Sequence, residues 1–66
     1  MKNSLKVQRA IHDLTQADLA ERIQVSRQTI HAIESGKFVP STVLALKMAK
    51  EFKVSLETLF ILEESD

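Results

Sequence analysis

One local pattern occurs three times in the sequence and limits the folds that the chain can adopt. An apolar residue precedes Ser or Thr, and a second apolar residue follows four positions after that hydroxyl residue. The three examples are Leu14-Thr15 with Leu19, Val25-Ser26 with Ile30, and Val54-Ser55 with Leu59. With the hydroxyl residue as N-cap, each apolar pair occupies the two positions of a hydrophobic staple. The pattern therefore predicts a chain built from short helices.

Other residues mark further helix boundaries. Asp18 follows Thr15 at the third helical position, close to a capping box, and Ser41 after Pro40 supplies a fourth start. Gly36 is expected to end a helix with a positive φ. Apolar spacing places five helices at about 3–12, 16–23, 27–35, 41–52 and 56–61. Their expected buried side chains are Leu5 with the Ala10/Ile11 pair, then Leu19, Ala20 and Ile23, then Ile30 and Ile33, and then Leu44, Ala45, Met48, Ala49 and Phe52.

Composition supports an all-α fold and excludes several classes of protein. The 66 residues include one Gly, one Pro and no Cys, Trp or Tyr, which leaves little material for hairpins or for a disulfide or Cys-based zinc framework. A chain this short buries only about 60% of its unfolded surface, so 1–66 is expected to form a single small domain with a polar tail at 63–66. The chain has no apolar run of about 18 residues and no signal-peptide core, so we expect a cytoplasmic protein without a membrane partner.

The second and third predicted helices are joined only by Gln24-Val25-Ser26. Two short helices with so tight a turn cross steeply, as in a helix-turn-helix spanning 16–35. Ala20 is expected where the two helices approach most closely. A generic helical hairpin in a small bundle would share this apolar spacing, so spacing alone leaves both interpretations open.

Four segments of the sequence carry a resemblance to a known family, and that resemblance favours the DNA-binding interpretation. They are 14–20 (LTQADLA), 25–30 (VSRQTI), 33–37 (IESGK) and Pro40-Ser41. Together they resemble the Cro/C1-type (XRE) helix-turn-helix family, most closely the small stand-alone homodimeric repressors of the cytolysin-repressor type. The resemblance covers about 5–60 and implies a compact five-helix, lambda-repressor-like domain. Gln24 and Lys53 depart from it, because they stand where the family usually has Gly. Gln8 is polar where the first helix of the family usually has an apolar residue, and Ile11 is apolar where the family usually has a polar one.

Four residues of the third helix are the candidate base contacts. Arg27, Gln28, His31 and Ala32 lie opposite the apolar Ile30 and Ile33 in the helical periodicity. Arg bonds bidentately to guanine and Gln to adenine, and a small apolar residue such as Ala32 suits a thymine methyl. The resemblance implies the same roles for Arg27, Gln28 and Ala32. The alternatives are that Arg27 and Gln28 are ordinary solvated residues, and that His31 meets a phosphate or water.

A second set of residues is expected to contact phosphates. Gln16 begins the second helix, where free N–H groups and the helix dipole favour an anion. The resemblance implies phosphate contacts, through side chain or main-chain N–H, for Gln16, Thr29, Ser35, Lys37 and Phe38. It also implies a partly buried ion pair between Arg9 and Glu34, with Arg9 near a phosphate; two unrelated surface charges are the alternative.

The formal net charge of zero hides an uneven distribution. Residues 1–37 carry six basic and four acidic residues, net +2, and residues 38–66 carry three basic and five acidic, net −2. A weakly basic DNA-binding half and an acidic far half predict poor non-specific affinity and a strong dependence on base contacts.

The apolar run at Phe60, Ile61 and Leu62 is the candidate dimer interface, since Leu59 is already expected to point inward. Packing of all three onto the domain's own core is the alternative, and the cytolysin-repressor type allows a short C-terminal strand here.

The favoured function is a sequence-specific regulator of double-stranded DNA, a repressor acting as a homodimer on a palindromic operator. The alternative is an antitoxin or adaptor with secondary DNA binding. No nucleophile–base pair, phosphate loop or metal spacing around His12 or His31 is apparent, so we expect neither an enzyme nor a cofactor, metal or small-molecule ligand.

Overall fold

Hydroxyl side chains cap the helices at the positions that the sequence predicts. A computed structural model describes all 66 residues. The elements in chain order are β1 (Lys2–Asn3), α1 (Leu5–Ile11), α2 (Gln16–Ile23), α3 (Arg27–Glu34), α4 (Thr42–Phe52), α5 (Leu56–Leu59) and β2 (Phe60–Ile61). The fold is therefore mostly helical with five helices, as the sequence predicts. The longest helix has eleven residues, and none has the length and apolarity that a membrane span requires.

The N-caps form by local hydrogen bonds. Thr15 Oγ1 accepts from the Asp18 N–H at 3.0 Å, and the Asp18 carboxylate accepts from the Thr15 N–H at 3.0 Å, which completes a capping box. Ser26, Ser41 and Ser55 each accept from the N–H three residues ahead. The first apolar residue of each staple packs against the core, and its partner is fully buried. These starts are thus set by residues within five positions of one another.

The same joints also end the preceding helices. Asp13, Gln24 and Lys53 adopt left-handed φ values of 55°, 62° and 58°, and Gly36 has φ 78°. At Gln24, its own N–H donates to Glu21 O at 3.3 Å and the next N–H donates to Ala20 O at 2.9 Å, the bonding of a Schellman motif. Val25 is therefore both the residue that closes α2 and the staple residue that opens α3.

A single apolar core lies between the helices, and α2 packs against both α3 and α4. Ala20 is 3% exposed, as expected for a close approach of two helices. The buried apolar residues are Leu5, Leu19, Ala20, Ile23, Ile30, Ile33, Ala45, Met48, Ala49, Phe52, Leu59 and Phe60.

The inward face of α1 differs from the prediction. Leu5 is buried, but Ala10 is exposed and Ile11 is 67% exposed, so that pair does not enter the core. Gln8 is buried instead, and the His12 ring packs on Phe52 with ring centroids 5.2 Å apart. Because α1 begins at Leu5, the residues three and seven positions later share its buried side. The His12 ring then covers part of the core that Ile11 was expected to cover.

The two chain ends pair with each other, which shortens the first and last predicted helices. Lys2 pairs with Ile61 and Asn3 with Phe60 in a two-stranded antiparallel sheet, and the Ser4 N–H donates to Leu59 O at 2.9 Å. The first helix therefore begins at residue 5 rather than 3, and the last ends at 59 rather than 61. The N-terminal ammonium lies 2.9 Å from the Asp66 carboxylate, and this hydrogen bond raises the pKa of the Met1 amine.

Candidate nucleic-acid interface

The first turn of α3 is exposed to solvent, while the opposite side of the helix is buried. Ser26 caps the helix, and Arg27 and Gln28 follow at its exposed first turn. Ile30 and Ile33 are buried on the opposite side, against α2. The exposed surface thus carries the two residues predicted to read bases, together with exposed His31 and half-buried Ala32.

Gln16 links the start of α2 to the end of α3. Its Nε2 donates to Glu34 Oε1 at 3.3 Å and lies 3.5 Å from His31 Nδ1. Four of the candidate contact residues line one open hollow of about 260 Å³, namely Arg9, Gln16, His31 and Ser35. A phosphate entering this hollow would meet the Gln16 amide and the His31 ring together.

Arg9 and Glu34 form a largely buried ion pair. The Arg9 Nε and Nη2 groups both donate to the Glu34 carboxylate, the second at 3.0 Å, and Nη1 donates to Leu14 O at 3.0 Å. Their side chains are only 15% and 9% exposed. Hydrogen bonding to Glu34 raises the pKa of the Arg9 guanidinium. The pair holds α1 against the last turn of α3, and two N–H groups of Arg9 remain for another acceptor.

The loop after α3 engages the main-chain N–H groups of two expected phosphate contacts. The N–H groups of Lys37 and Phe38 both donate to Ala32 O, at 2.9 and 3.2 Å. The Phe38 N–H is therefore engaged within the chain and would have to share or exchange this bond to reach a phosphate, so its contact with a phosphate stays a prediction. Lys37 still offers an exposed ammonium group.

Two hydroxyl groups of the phosphate set take part in local bonds. Thr29 Oγ1 lies 2.9 Å from Ser26 Oγ, and Ser35 Oγ donates to Ala32 O at 3.1 Å. Ser35 is exposed and Thr29 is half-buried. The Ser35 hydroxyl therefore has to exchange or share its bond to Ala32 O before it donates to a phosphate. The Thr29 hydroxyl is free to donate when Ser26 Oγ is the donor of their shared bond.

Two residues near this surface were missed by the sequence reasoning. The Asn3 amide donates to Ile33 O at 2.9 Å, while its Oδ1 accepts from the Leu5 N–H at 3.2 Å. No local signal marks a contact across thirty residues, and the sequence placed Asn3 inside a helix. Lys6 lines the same hollow as Arg9 and Gln16. Its position three residues before Arg9 on one helix was a signal that could have found it.

The candidate dimer residues fall into two groups. Phe60 is buried in the domain's own core, so its assignment to the interface is corrected. Ile61 is 48% exposed and Leu62 is 78% exposed. A second exposed apolar group, absent from the predictions, occupies the loop before α4 and that helix's outer side; its members are Phe38, Val39, Val43 and Leu46.

Comparison with known proteins agrees with this geometry. A helix-turn-helix family model matches residues 5–59. The chain is 58% identical over 66 residues to an uncharacterised HTH-type transcriptional regulator of Methanocaldococcus jannaschii, and 47% identical to the uncharacterised HTH-type regulator YgzD of Bacillus subtilis; both matches cover all of both chains. The crystal structure of the restriction-modification controller protein C.AhdI from Aeromonas hydrophila is similar, with a TM-score of 0.77, 28% identity and 85% of each chain covered.

The matched segment begins at the first residue of α1 and ends at the last residue of α5. The five helices are thus the shared unit, and the two strands lie outside it. Over that unit, the capped turn between α2 and α3 and the exposed first turn of α3 occupy the places that a helix-turn-helix requires. The chain belongs to the Cro/C1-type (XRE) helix-turn-helix family of DNA-binding transcriptional regulators.

Proposed function

We propose that this protein is a repressor that binds a palindromic operator in double-stranded DNA as a homodimer. The observation that carries the proposal is the exposed first turn of α3, where Arg27 and Gln28 project opposite the buried Ile30 and Ile33. An α-helix fits the major groove, and its N-terminal residues reach base edges. A dimer bound in this way occupies the duplex and excludes other proteins from the same base pairs.

Direct reading of sequence is assigned to four side chains. Arg27 suits guanine and Gln28 suits adenine, because each forms a bidentate pair with the edge of that base. Ala32 offers a small apolar contact for a thymine methyl. His31 lies beside them, with Gln16 bridging towards it.

Phosphate contacts are assigned to groups around this surface. Lys37 provides an exposed ammonium, and Gln16 stands at the first position of α2, where unpaired N–H groups favour an anion. Thr29, Ser35 and the two remaining N–H groups of Arg9 complete the set. Such contacts position the protein on the duplex without specifying its sequence.

Dimerisation is assigned to Ile61 and Leu62. Their exposed side chains follow directly on the strand pair formed by the two chain ends. Two-fold dimers bind half-sites about one helical turn apart, which matches a palindromic operator.

Selection of bound sequences from a random DNA pool tests the DNA-binding proposal. We expect a palindromic motif, and we expect Arg27→Ala and Gln28→Ala each to relax one defined base pair by about 1–3 kcal/mol. Lys2→Gln, which alters an exposed lysine on β1, is the control and should leave the motif unchanged. Absence of any enriched motif at moderate salt would reject the proposal and favour an adaptor or antitoxin.

Sedimentation tests the dimer. Ile61→Lys is expected to shift the protein from dimer to monomer, because a buried charge in an apolar interface is costly. Val43→Lys places the same charge in the other exposed apolar group and should leave the dimer intact. The reverse result would move the interface to the loop before α4 and that helix.

Repression itself is tested with a reporter whose promoter overlaps the selected motif; unchanged or increased expression would contradict it.

A further inference from the structure

A basic cleft lies between the C-terminal ends of α2 and α4, and none of the assigned contact residues lines it. Its volume is about 510 Å³, and four cationic side chains line it: Arg22, Lys47, Lys50 and Lys53. Arg22 bonds Glu51 at 2.9 Å, so that carboxylate is already neutralised. The three lysines form no ion pair in the structure, which leaves an excess of three positive charges in the cleft.

This cleft revises the charge distribution expected from the sequence. Residues 38–66 are acidic overall, yet their only three basic residues are the three lysines of the cleft. Four of the five acidic residues in this half lie outside the cleft, and two of them, Glu63 and Asp66, meet the N-terminal ammonium. The far half of the molecule is therefore not a uniform negative surface, because all of its positive charge faces one place.

Helix dipoles account for only part of this cluster. Arg22 and Lys50 lie in the last turns of α2 and α4, where cations offset the negative helix end. Lys47 lies in the body of α4, away from that end. The last carbonyls are also satisfied by Schellman bonds, from Gln24 and Val25 in α2 and from Lys53 and Val54 in α4. The cleft thus holds more positive charge than the helix ends need.

Backbone strain singles out two of the lining residues. Gln24 and Lys53 both adopt left-handed conformations, where Gly would avoid a steric cost. Asp13 shares this conformation, but Asp is common in the left-handed region and Gln and Lys are not. Both strained residues line the same cleft, where each supplies a hydrogen-bond donor that Gly lacks. Strained residues gathered at one place point to a function for their side chains.

The lining favours one class of ligand. Ile23 is the only apolar residue in the cleft, so a peptide would lack the apolar anchor that dominates protein interfaces. Ammonium and amide donors around an open cleft suit phosphate oxygens, which need no apolar contact. One lining residue, Gln24, also lies three residues before Arg27, at the N-terminal side of the recognition helix.

We propose that this cleft binds the phosphodiester backbone of DNA flanking the half-site on the same duplex, with Gln24, Lys47, Lys50 and Lys53 as its contacts. The proposal rests on the proposed DNA-binding function. It adds a second phosphate surface that extends the footprint beyond the base pairs read by α3.

Replacing Gln24 or Lys53 by Gly removes the side chain and also relieves the strain of the left-handed backbone. A loss of DNA binding in these variants is therefore not explained by a loss of stability. Lys53→Gly and Gln24→Gly are expected to raise the melting temperature, each by about 4 °C, while weakening DNA binding. Affinity is measured on two duplexes carrying the selected motif, one trimmed to the motif and one with about ten flanking base pairs on each side. Both variants should lose affinity for the long duplex and retain wild-type affinity for the trimmed one.

Salt dependence provides an independent readout. Each lost phosphate contact lowers the slope of log K against log salt by about 0.9, so the affinity lost between 50 and 200 mM salt should shrink by about threefold for Lys53→Gly on the long duplex. Equal losses on both duplexes, or an equal loss for the control Lys2→Gln, would overturn the proposal in favour of general electrostatics. An unrelated second duplex, added to the complex with the trimmed duplex, should not reproduce the gain in affinity that the flanks give. If it did, the proposal that the cleft binds the same duplex would also be overturned. Absence of specific binding by the wild type would instead reject the proposed function itself.

Discussion

The two ends of the recognition helix α3 are held by different kinds of interaction. At its start, Ser26 bonds Thr29, three residues away. At its end, Glu34 is held by Arg9 across twenty-five residues, and the Ile33 carbonyl by Asn3 across thirty. The local cap leaves Arg27 and Gln28 projecting into solvent, while the long-range bonds fix the far end against the rest of the domain. A helix anchored at one end by its fold presents its other end in a defined orientation.

The largest expected effect comes from breaking the long-range ion pair. Arg9→Ala should lower the free energy of unfolding by about 3–5 kcal/mol, because it leaves the Glu34 carboxylate buried without its partner. Urea denaturation followed by circular dichroism measures the change. Arg22→Ala is the matched control, since the Arg22 side chain is 54% exposed and its pair with Glu51 should contribute less than about 1 kcal/mol.

Replacing both partners, as Arg9→Met with Glu34→Leu, should recover most of that loss. This double variant also keeps the experiment informative if Arg9→Ala fails to fold. A loss for Arg9→Ala as small as that for Arg22→Ala would mean that the end of α3 does not depend on the ion pair.

The second long-range bond is expected to matter less. Asn3→Ala removes the donor to Ile33 O and the acceptor for the Leu5 N–H, and should destabilise the domain by about 1–2 kcal/mol. Hydrogen exchange should show faster exchange for the amides that follow Ile33 than for those near Ser26. Lys2→Ala, in the same strand with an exposed side chain, should stay within about 0.5 kcal/mol of the wild type. Uniform acceleration along α3 would show that Asn3 does not act on one end of the helix.

Substitution of the cap at the start of α3 is expected to destabilise the domain less than loss of the long-range contacts at its end. Ser26→Ala should cost about 1 kcal/mol and Ser26→Gly only a few tenths, because Gly permits the cap geometry. The melting temperature should therefore fall by about 4–8 °C for Ser26→Ala. Equal effects of Ala and Gly would indicate that Ser26 does not act through capping.

The smallest effect concerns the other local cap, at the start of α2. The hydrogen bond from the Thr15 N–H, and next the one with the Thr15 side chain, lower the pKa of the Asp18 carboxyl. A lowered folded-state pKa means that the stabilisation is complete above the ordinary carboxyl value of about 3.9 and is lost as pH falls through the lowered value. Asp18→Asn should thus differ from the wild type in unfolding free energy at pH 6 and approach it in acid. Asp13→Asn is the charge-matched control, and a difference that persists below pH 2 would contradict this account.

Prediction from the sequence was accurate where the determining contacts are short in sequence. The boundaries of α2 were predicted correctly, and those of α3 and α4 to within one residue, because Thr15, Ser26 and Ser41 cap by bonds spanning three residues. The resemblance placed Arg9 beside Glu34, which no local pattern indicates. The residues that DNA would touch, and the dimer interface, remain predictions.

At the chain ends prediction was only partly right, because the short C-terminal strand that the resemblance allows is present as β2, whereas the predicted helix bounds there were wrong. The predicted inward face of α1 was also wrong. The sequence assigned residue 3 and residues 60 and 61 to helices, but Asn3 and Phe60 pair with each other across the whole chain. That pairing turns Phe60 inward and leaves Ile61 half exposed. Similarly, Ile11 is 67% exposed, while the His12 ring lies against Phe52, forty residues away.

The sequence by itself determined the number of helices, their caps and the exposed face of α3, because helix periodicity and capping act over a few residues. Only the tertiary structure decided that Asn3 bonds the end of α3, which way Phe60 faces and where the lysines of the second half gather. Those features depend on residues far apart in the chain, whose proximity exists only once the core has formed. The zero net charge is settled by the sequence, but its separation into a recognition surface and a basic cleft belongs to the fold.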